Sequence, residues 1–339
     1  MSGKPHQIKI ISDFSLLPLN EITALNTVMD TPFFYDVRFL EAAHYWPLLP
    51  ILKAYYILAY SNTVLVGFTV VYTQISADPF GSLAHATGRN FNEGLACMGH
   101  IMHCYETEVI VSIEQGNSIR RAILKSIRNL GSALGAKHVG LINVTNRKLL
   151  LAGALENYQT RFIWDRYLME IDQIQSVEDY IASLPADGRR EMNRQRRKFQ
   201  ASRAHTSTQK IDMSDLVQIS ELVWSTSARH GTPNYYPKAM LKPFLEACGK
   251  MTRFVTVHEH DLILGVMVCF VHNKNFHVWA AGMSYDRADF SPYSICMLEA
   301  FRYAKQEKLQ VIEIGRTNHK IKTRMGFKAK KLFSLIASS

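Results

Sequence analysis

Hydrophobic and polar positions follow two rhythms along this chain, and each rhythm occurs twice. From Arg253 to Gly282 the run RFVTVHEHDLILGVMVCFVHNKNFHVWAAG holds three apolar, β-branched-rich stretches of strand length. Polar interruptions at His258-Glu259-His260-Asp261 and at Asn273-Lys274-Asn275 predict the two turns of a meander. An earlier run, AYYILAYSNTVLVGFTVVYTQ, reads as two such strands with a turn at Ser61-Asn62, and Gly67 falls where Gly265 falls in the later run. A helical rhythm holds from about Asn117 to Leu134. Ile119, Ala122, Ile123, Ser126, Ile127, Leu130 and Leu134 form one stripe, with Asn117 placed to cap the start and Gly135 the end. Met297, Leu298, Phe301 and Ala304 make the equivalent stripe in a helix predicted over Tyr293 to Lys308. A β-branched strand follows each helix, at His138 to Val144 and at Val311 to Ile314. A short helix and a last strand come next, RFIWDRYLMEI in the first half and KKLFSLI in the second.

The order β-β-(β)-α-β-α-β is therefore repeated. It predicts an α/β (α+β) protein of two tandem domains, 1–172 and 173–339, each a mixed, mostly antiparallel sheet flanked by helices. The length of 339 residues suits two domains of moderate size. The hinge is expected in the polar stretch Gln173 to Gly188.

Composition narrows the class. At 47% apolar and 20% charged residues the chain can bury a sizeable core. It contains no uninterrupted apolar run long enough to span a bilayer, and MSGKPHQIKIISDF lacks the apolar centre of a secretory signal, so the expected compartment is the cytoplasm. The five cysteines form no Cys-x-x-Cys pair and are expected to be small buried hydrophobes. His85, His100 and His103 have no metal-ligand spacing, so no metal is expected. The net charge of +10 attracts anionic partners: phosphorylated cofactors, nucleic acid or anionic lipid. No DNA- or RNA-reading motif accompanies the charge, and no DNA partner is expected.

The densest charge is DGRREMNRQRRKF, residues 187–199. Asp187 can cap a helix there, Met192 and Phe199 give it an apolar seam, and six cations cover its other faces. It is either a solvated face or an anion site in which Arg194 and Arg197 bind phosphate with their planar forks. Downstream, WSTSARHGTPNYYPKAMLKPFLEACG ends one helix at Arg229 and His230, turns at Gly231 to Asn234, and enters the next helix through Tyr235 and Tyr236. Cations at a helix C-terminus are ordinary caps, while loops rich in Tyr and His also line acceptor pockets. The residues alone leave both readings open.

The last fifty residues carry a more specific signal. Ser291-Pro292 starts a helix, a strand follows, Gly315-Arg316-Thr317-Asn318 opens a short basic helix, and Gly326-Phe327 ends it. This resembles the closing half of the GNAT acyltransferase fold in its FemAB-related branch, where a GR(S/T)…K…GF segment recurs. The basic RR…RR helix and the Arg229-His230-Gly231-Thr232-Pro233 turn are similar to that branch as well. The resemblance implies an N-acyltransferase that moves an acyl group from a thioester co-substrate, acyl-CoA or carrier-bound, to an amine of a small-molecule or lipid-like acceptor. No permanently bound cofactor is implied. Two alternatives remain: a FemX-like transferase using aminoacyl-tRNA in cell-wall peptide synthesis, and a non-catalytic GNAT-like binding protein. An anionic membrane surface and tRNA are the macromolecular partners these readings allow.

By that resemblance the second domain binds the donor, at Arg287, Ser291, Tyr293 and Ser294 around the start of the long helix, with Arg316 and Asn318 after the next strand. Helix N-termini hold anions because their first N–H groups are unpaired. The usual glycine-rich phosphate loop of GNAT proteins is absent here, which weakens the expectation of coenzyme A. The matching loop of the first half, Ser112 to Ser118, has Gly116 but is acidic at Glu114, so that domain is expected to be structural or to bind the acceptor. His277 and Glu313 are predicted to share a face of the two central strands and to supply the base, with His319, Lys320 or a tyrosine such as Tyr285 as the acid. Arg194, Arg197, Arg229, His230, Tyr235 and Tyr236 are the acceptor-side candidates.

Overall fold

The computed structural model describes residues 6–112, 116–209 and 215–338. The chain forms two compact units, residues 1–164 with 331–339, and residues 165–330. The first contains strands β1 (Gln7–Ile11), β2 (Ile51–Ser61), β3 (Val64–Gln74), β4 (Ala96–Gly99), β5 (Ile110–Val111) and β6 (His138–Val144). Its helices are α1 (Leu19–Met29), α2 (Val37–Tyr45), α3 (Ser82–Thr87), α4 (Gly116–Ala133) and α5 (Arg147–Leu155). Strand β7 (Tyr158–Glu170) leads into the second unit. There follow α6 (Val177–Ser183), α7 (Ala186–Gln200), β8 (His205–Gln209), α8 (Leu216–Arg229), α9 (Lys238–Cys248), β9 (Thr252–Glu259), β10 (Leu262–His272), β11 (Asn275–Met283), α10 (Pro292–Gln306), β12 (Val311–Glu313) and α11 (His319–Arg324). Strand β13 (Lys328–Ala337) carries the chain back into the first unit.

In the first unit β1, β2, β3 and β4 are antiparallel neighbours, β4 pairs with β6 in parallel, and β13 adds to β6 antiparallel. In the second, β8, β9, β10 and β11 are antiparallel neighbours, β11 pairs with β12 in parallel, and β7 adds to β12 antiparallel. Each unit is thus the mixed, mostly antiparallel sheet the sequence predicts, with one parallel pair joined through a long helix. The expected boundary at residue 172 is corrected. The chain changes unit inside β7 and again inside β13, so each unit completes its sheet with the last strand of the other half. The reason is register: Phe333, Leu335 and Ile336 pair with Val144, Leu141 and Gly140, while Glu170, Met169 and Leu168 pair with Val311, Ile312 and Glu313.

Apolar stripes explain the layers. Ile119, Ile123 and Ile127 of α4 pack onto Ile57, Ala59, Val71 and Leu141 of the first sheet. Cys296, Met297, Ala300, Phe301 and Ala304 of α10 pack onto Val255, Val257, Met267, Phe276, Val278 and Ile312 of the second. Gly67 and Gly265 play the same part in each. A Cβ on Gly67 would lie 2.5 Å from Ile119 of α4, and one on Gly265 would lie 2.7 Å from Pro292 of α10, so the missing side chain lets the long helix approach. All five cysteines are buried. Among the described residues no helix is long and apolar enough to cross a membrane. Of the loop Ser112 to Ser118, residues 113–115, including Glu114, lie outside the described residues.

Candidate active site

The parallel pair of the second unit is short. Asn275, Phe276 and His277 of β11 pair with Val311, Ile312 and Glu313 of β12. Beyond that rung β11 runs on to Met283, while the other strand ends and the chain turns. Diverging carboxyl ends of parallel strands leave a crevice that neither strand can fill. A cleft of about 330 Å³ lies there. Met283 and Tyr285 border it from the end of β11, Ser291, Tyr293 and Ser294 from the start of α10, and Asn318 and Ile321 from the turn and α11. Gly188, Glu191 and Met192 of α7 and His230 at the end of α8 complete much of its wall.

The turn after β12 is unusual. Gly315, Thr317 and Asn318 have φ of 62°, 65° and 52°. A β-branched residue in this left-handed region is costly and persists only where its surroundings hold it. Lys322 of α11 does so: its buried Nζ donates to the carbonyls of Ile314, at 2.6 Å, and of Arg316. Burial pushes this amine down to about 7, and the Arg316 charge adds to the effect against the opposing pull of Glu313. Arg316 is itself buried and donates from Nη2 to Tyr235 Oη at 3.0 Å.

The start of α10 differs from a free anion site. Pro292 has no N–H, Ser291 Oγ accepts from Ser294 N at 3.3 Å, and Gln195 of α7 accepts from Ser291 N at 2.6 Å. Protein groups thus answer much of the first turn's donor capacity. Arg287 stands in a neighbouring cleft of about 490 Å³, with Lys198 and the carboxylates of Glu259, Asp286 and Asp289. It is not brought together with Ser291 and Ser294 in the cleft at the strand ends.

His277 and Glu313 do share a face, as the alternation predicts, but not as cleft-lining groups. His277 Nδ1 lies 2.9 Å from Glu313 Oε2, and Arg166 Nη1 of β7 lies 3.3 Å from Glu313 Oε1. All three are buried. On the same face of β11, Trp279 packs against Phe244 of α9 and against Tyr236, so helices cover this side. Burial alone would raise the Glu313 carboxyl; the Arg166 charge and the His277 hydrogen bond more than offset it and hold it at about 2. A carboxylate so stabilised takes no proton near neutrality. The assignment of Glu313 as a base is corrected on that ground, and His277 is its partner rather than a group facing the cleft.

Tyr285, by contrast, lies at the cleft beside two acceptor-side candidates. The Arg229 guanidinium sits 4.3 Å from its ring centre, and its hydroxyl lies 3.5 Å from His230 Nε2. Burial raises the Tyr285 hydroxyl, opposed by Arg229 and by Thr226. Tyr235 and Tyr236 are buried instead of open to a ligand. Tyr235 holds Arg316, and Tyr236 donates to the Trp279 carbonyl at 3.3 Å, because the turn after α8 folds its rings onto β11. Arg197 is exposed, and Arg194, also exposed, is bonded to Glu191 at 2.7 Å.

Sequence reasoning missed Gly188, Glu191, Gln195, Arg166 and Lys322. Lys322 was within reach, since it is one of the two lysines between Gly315-Arg316 and Gly326-Phe327. Arg166 had no signal, because its partner lies 147 residues away.

Residues 186–325 match the family model described as an acetyltransferase (GNAT) domain. No curated protein matches the chain. Among solved structures, FemX superposes with a TM-score of 0.65 at 11% identity over 96% of each chain. A tandem GNAT protein from the clavulanic acid biosynthesis pathway gives 0.56 at 10% identity, over 98% of this chain and 99% of that one. The C-terminal domain of a putative lysylphosphatidylglycerol synthetase from Agrobacterium fabrum gives 0.56 at 10% identity, over 95% and 91%. At such identities the likeness is one of fold. The fold is the tandem GNAT arrangement, and the resemblance to the FemAB-related branch holds.

Proposed function

We propose that this chain is an amine N-acyltransferase whose donor and acceptor meet in the cleft of the second unit. The observation that carries the reading is the cleft itself: it opens where β11 and β12 part, beneath the start of α10, with His230 and Tyr285 together on its wall. The acceptor amine attacks the thioester carbonyl, forming the C–N bond and a tetrahedral oxyanion. Backbone N–H groups at the ends of the splayed strands are suited to polarise that carbonyl. Collapse breaks the C–S bond. The amine gives its proton to His230, directly or through water, and Tyr285 gives its proton to the leaving sulfur. Return of a proton from His230 to Tyr285 across their contact restores both groups. Burial keeps the Tyr285 hydroxyl protonated near neutrality, so its proton is present to be given.

A second reading, an aminoacyl-tRNA donor, has its own support. The first turn of α10 is largely occupied by protein partners, which suits a pyrophosphate poorly. The helix that forms one wall of the cleft, α7, also exposes arginines to solvent. Native mass spectrometry of the purified protein, followed by calorimetry with coenzyme A thioesters and filter binding with aminoacyl-tRNA, separates the donors. Micromolar binding of a thioester that is lost in Ser294→Trp, which fills the cleft, supports the first reading. Binding of aminoacyl-tRNA alone supports the second, and binding of neither ligand removes donor binding and leaves the non-catalytic alternative.

A further inference from the structure

Helix α5 of the first unit is apolar on two sides. Its inner side buries Leu149, Ala152 and Gly153. Its outer side leaves Leu151 61% and Leu155 66% exposed, one helical turn apart. Arg147 lies one turn before Leu151 on that same exposed side, and Lys148 flanks it. Helix α4 packs beside α5, tied to it by Arg121 Nε to Glu156 Oε1 at 2.6 Å and Arg128 Nη1 to the Glu156 carbonyl at 2.8 Å. Between those two arginines, Lys125 is exposed. Neither helix contains an aspartate or a glutamate.

We propose that this face docks on an anionic lipid bilayer, with Leu151 and Leu155 entering the interface and the surrounding cations contacting lipid headgroups. Exposed leucines with Arg and Lys beside them are the chemistry of peripheral membrane helices, in which a shallow apolar insertion and the surface potential act together. Charge selects this occupant over a second copy of the chain. A twofold contact would set the same cations against one another, and the adjacent acid, Glu156 at the end of α5, is already paired with Arg121. The inference is independent of the acyl-transfer reading, since it rests on a surface of the first unit and is read by binding alone.

The test is co-sedimentation of the full chain with vesicles of phosphatidylcholine alone and with vesicles in which roughly a third of the lipid is phosphatidylglycerol, which supplies the negative surface potential. The expected result is partitioning to the anionic vesicles at least about tenfold above the neutral ones, weakened by salt as a Debye length near 10 Å requires. Leu151→Ser with Leu155→Ser, and separately Arg147→Glu with Lys148→Glu, should each lower that partitioning about tenfold or more, with unfolding temperature held close to that of the parent. Equal partitioning of these variants and the parent overturns the proposal. So does loss only on reversing Arg194 and Arg197 of α7, which would assign the contact to the other basic helix. A chain that ignores both vesicles but associates with itself through Leu151 and Leu155 also overturns it.

Discussion

His277 Nδ1 stands 2.9 Å from Glu313 Oε2 at the last rung joining β11 to β12. Arg166 completes the arrangement from β7, so three strands are tied together at the point where two of them separate. The cleft depends on where that separation begins. A buried ion pair with a hydrogen-bonded histidine fixes it better than an apolar contact would, because its hydrogen bonds have direction.

Glu313→Gln should therefore act through stability. Its carboxyl is held at about 2 in the folded chain, below the ordinary range near 4.3, so its contribution is full above about pH 5 and fades as pH falls toward 2. The difference corresponds to about 3 kcal/mol at neutral pH. Urea unfolding at pH 7 should show a loss of that order, and the loss should shrink as pH drops from about 5 to 3. A variant as stable as the parent at pH 7 would show that the cluster does not clamp the strands.

His230→Gln should cut turnover by about two to four orders of magnitude with donor affinity nearly unchanged, the pattern of a lost general base. Tyr285→Phe should lower turnover as well, most strongly for donors with poor leaving groups. Steady-state kinetics set beside calorimetry would check both. Full turnover in His230→Gln moves the base elsewhere.

The fold was largely legible because its signals are local. The short apolar runs that became β9, β10 and β11, the isoleucine stripe of α4, and the glycines Gly67 and Gly265, each within its own strand, are all signals read from residues near one another in sequence. Exchange of the last strands was not legible, since KKLFSLI carries no mark of whether it will pair with Val311 to Glu313 or with Gly140 to Val144. The site was half legible for the same reason. Ser291, Tyr293, Ser294, Asn318, Tyr285 and His230 do meet at one cleft. Glu313 was misjudged because its chemistry is set by Arg166, a residue remote in sequence. Tyr235 and Tyr236 were misjudged because a turn signal does not say which way its rings fold.

Gly188 sits in the first turn of α7, where helix propensity by itself would favour alanine. Here a Cβ would lie 2.0 Å from the carbonyl oxygen of Arg324 at the end of α11. Backbone cannot rotate away as a side chain can, so α7 and α11 must separate. Both helices wall the cleft. Gly188→Ala should thus destabilise the chain by roughly 1–3 kcal/mol, as overpacking does, and weaken donor binding in the same variant. Thermal unfolding and calorimetry test the two effects together; a more stable Gly188→Ala would mean that propensity outweighs the contact.

Lys322 gives a pH dependence of opposite origin. Burial favours its neutral amine, whose two N–H groups match the two carbonyls of Ile314 and Arg316. The folded chain holds this group near 7, whereas an unfolded lysine titrates near 10.4. Between those values the unfolded state binds the extra proton, so stability should rise as pH climbs from about 7 toward 10, and the gain is lost again as pH falls through 7. Lys322→Met removes the titrating group and both carbonyl hydrogen bonds. Its urea midpoint should be lower than that of the parent at pH 9, and the rise between pH 7 and 9 should be flatter. It should also weaken donor binding, because nothing then holds Thr317 and Asn318 in their left-handed turn beside the cleft. A parent chain whose stability is flat or falling over that interval, with the same slope in Lys322→Met, would show that the amine stays charged in the fold and binds the carbonyls as a cation.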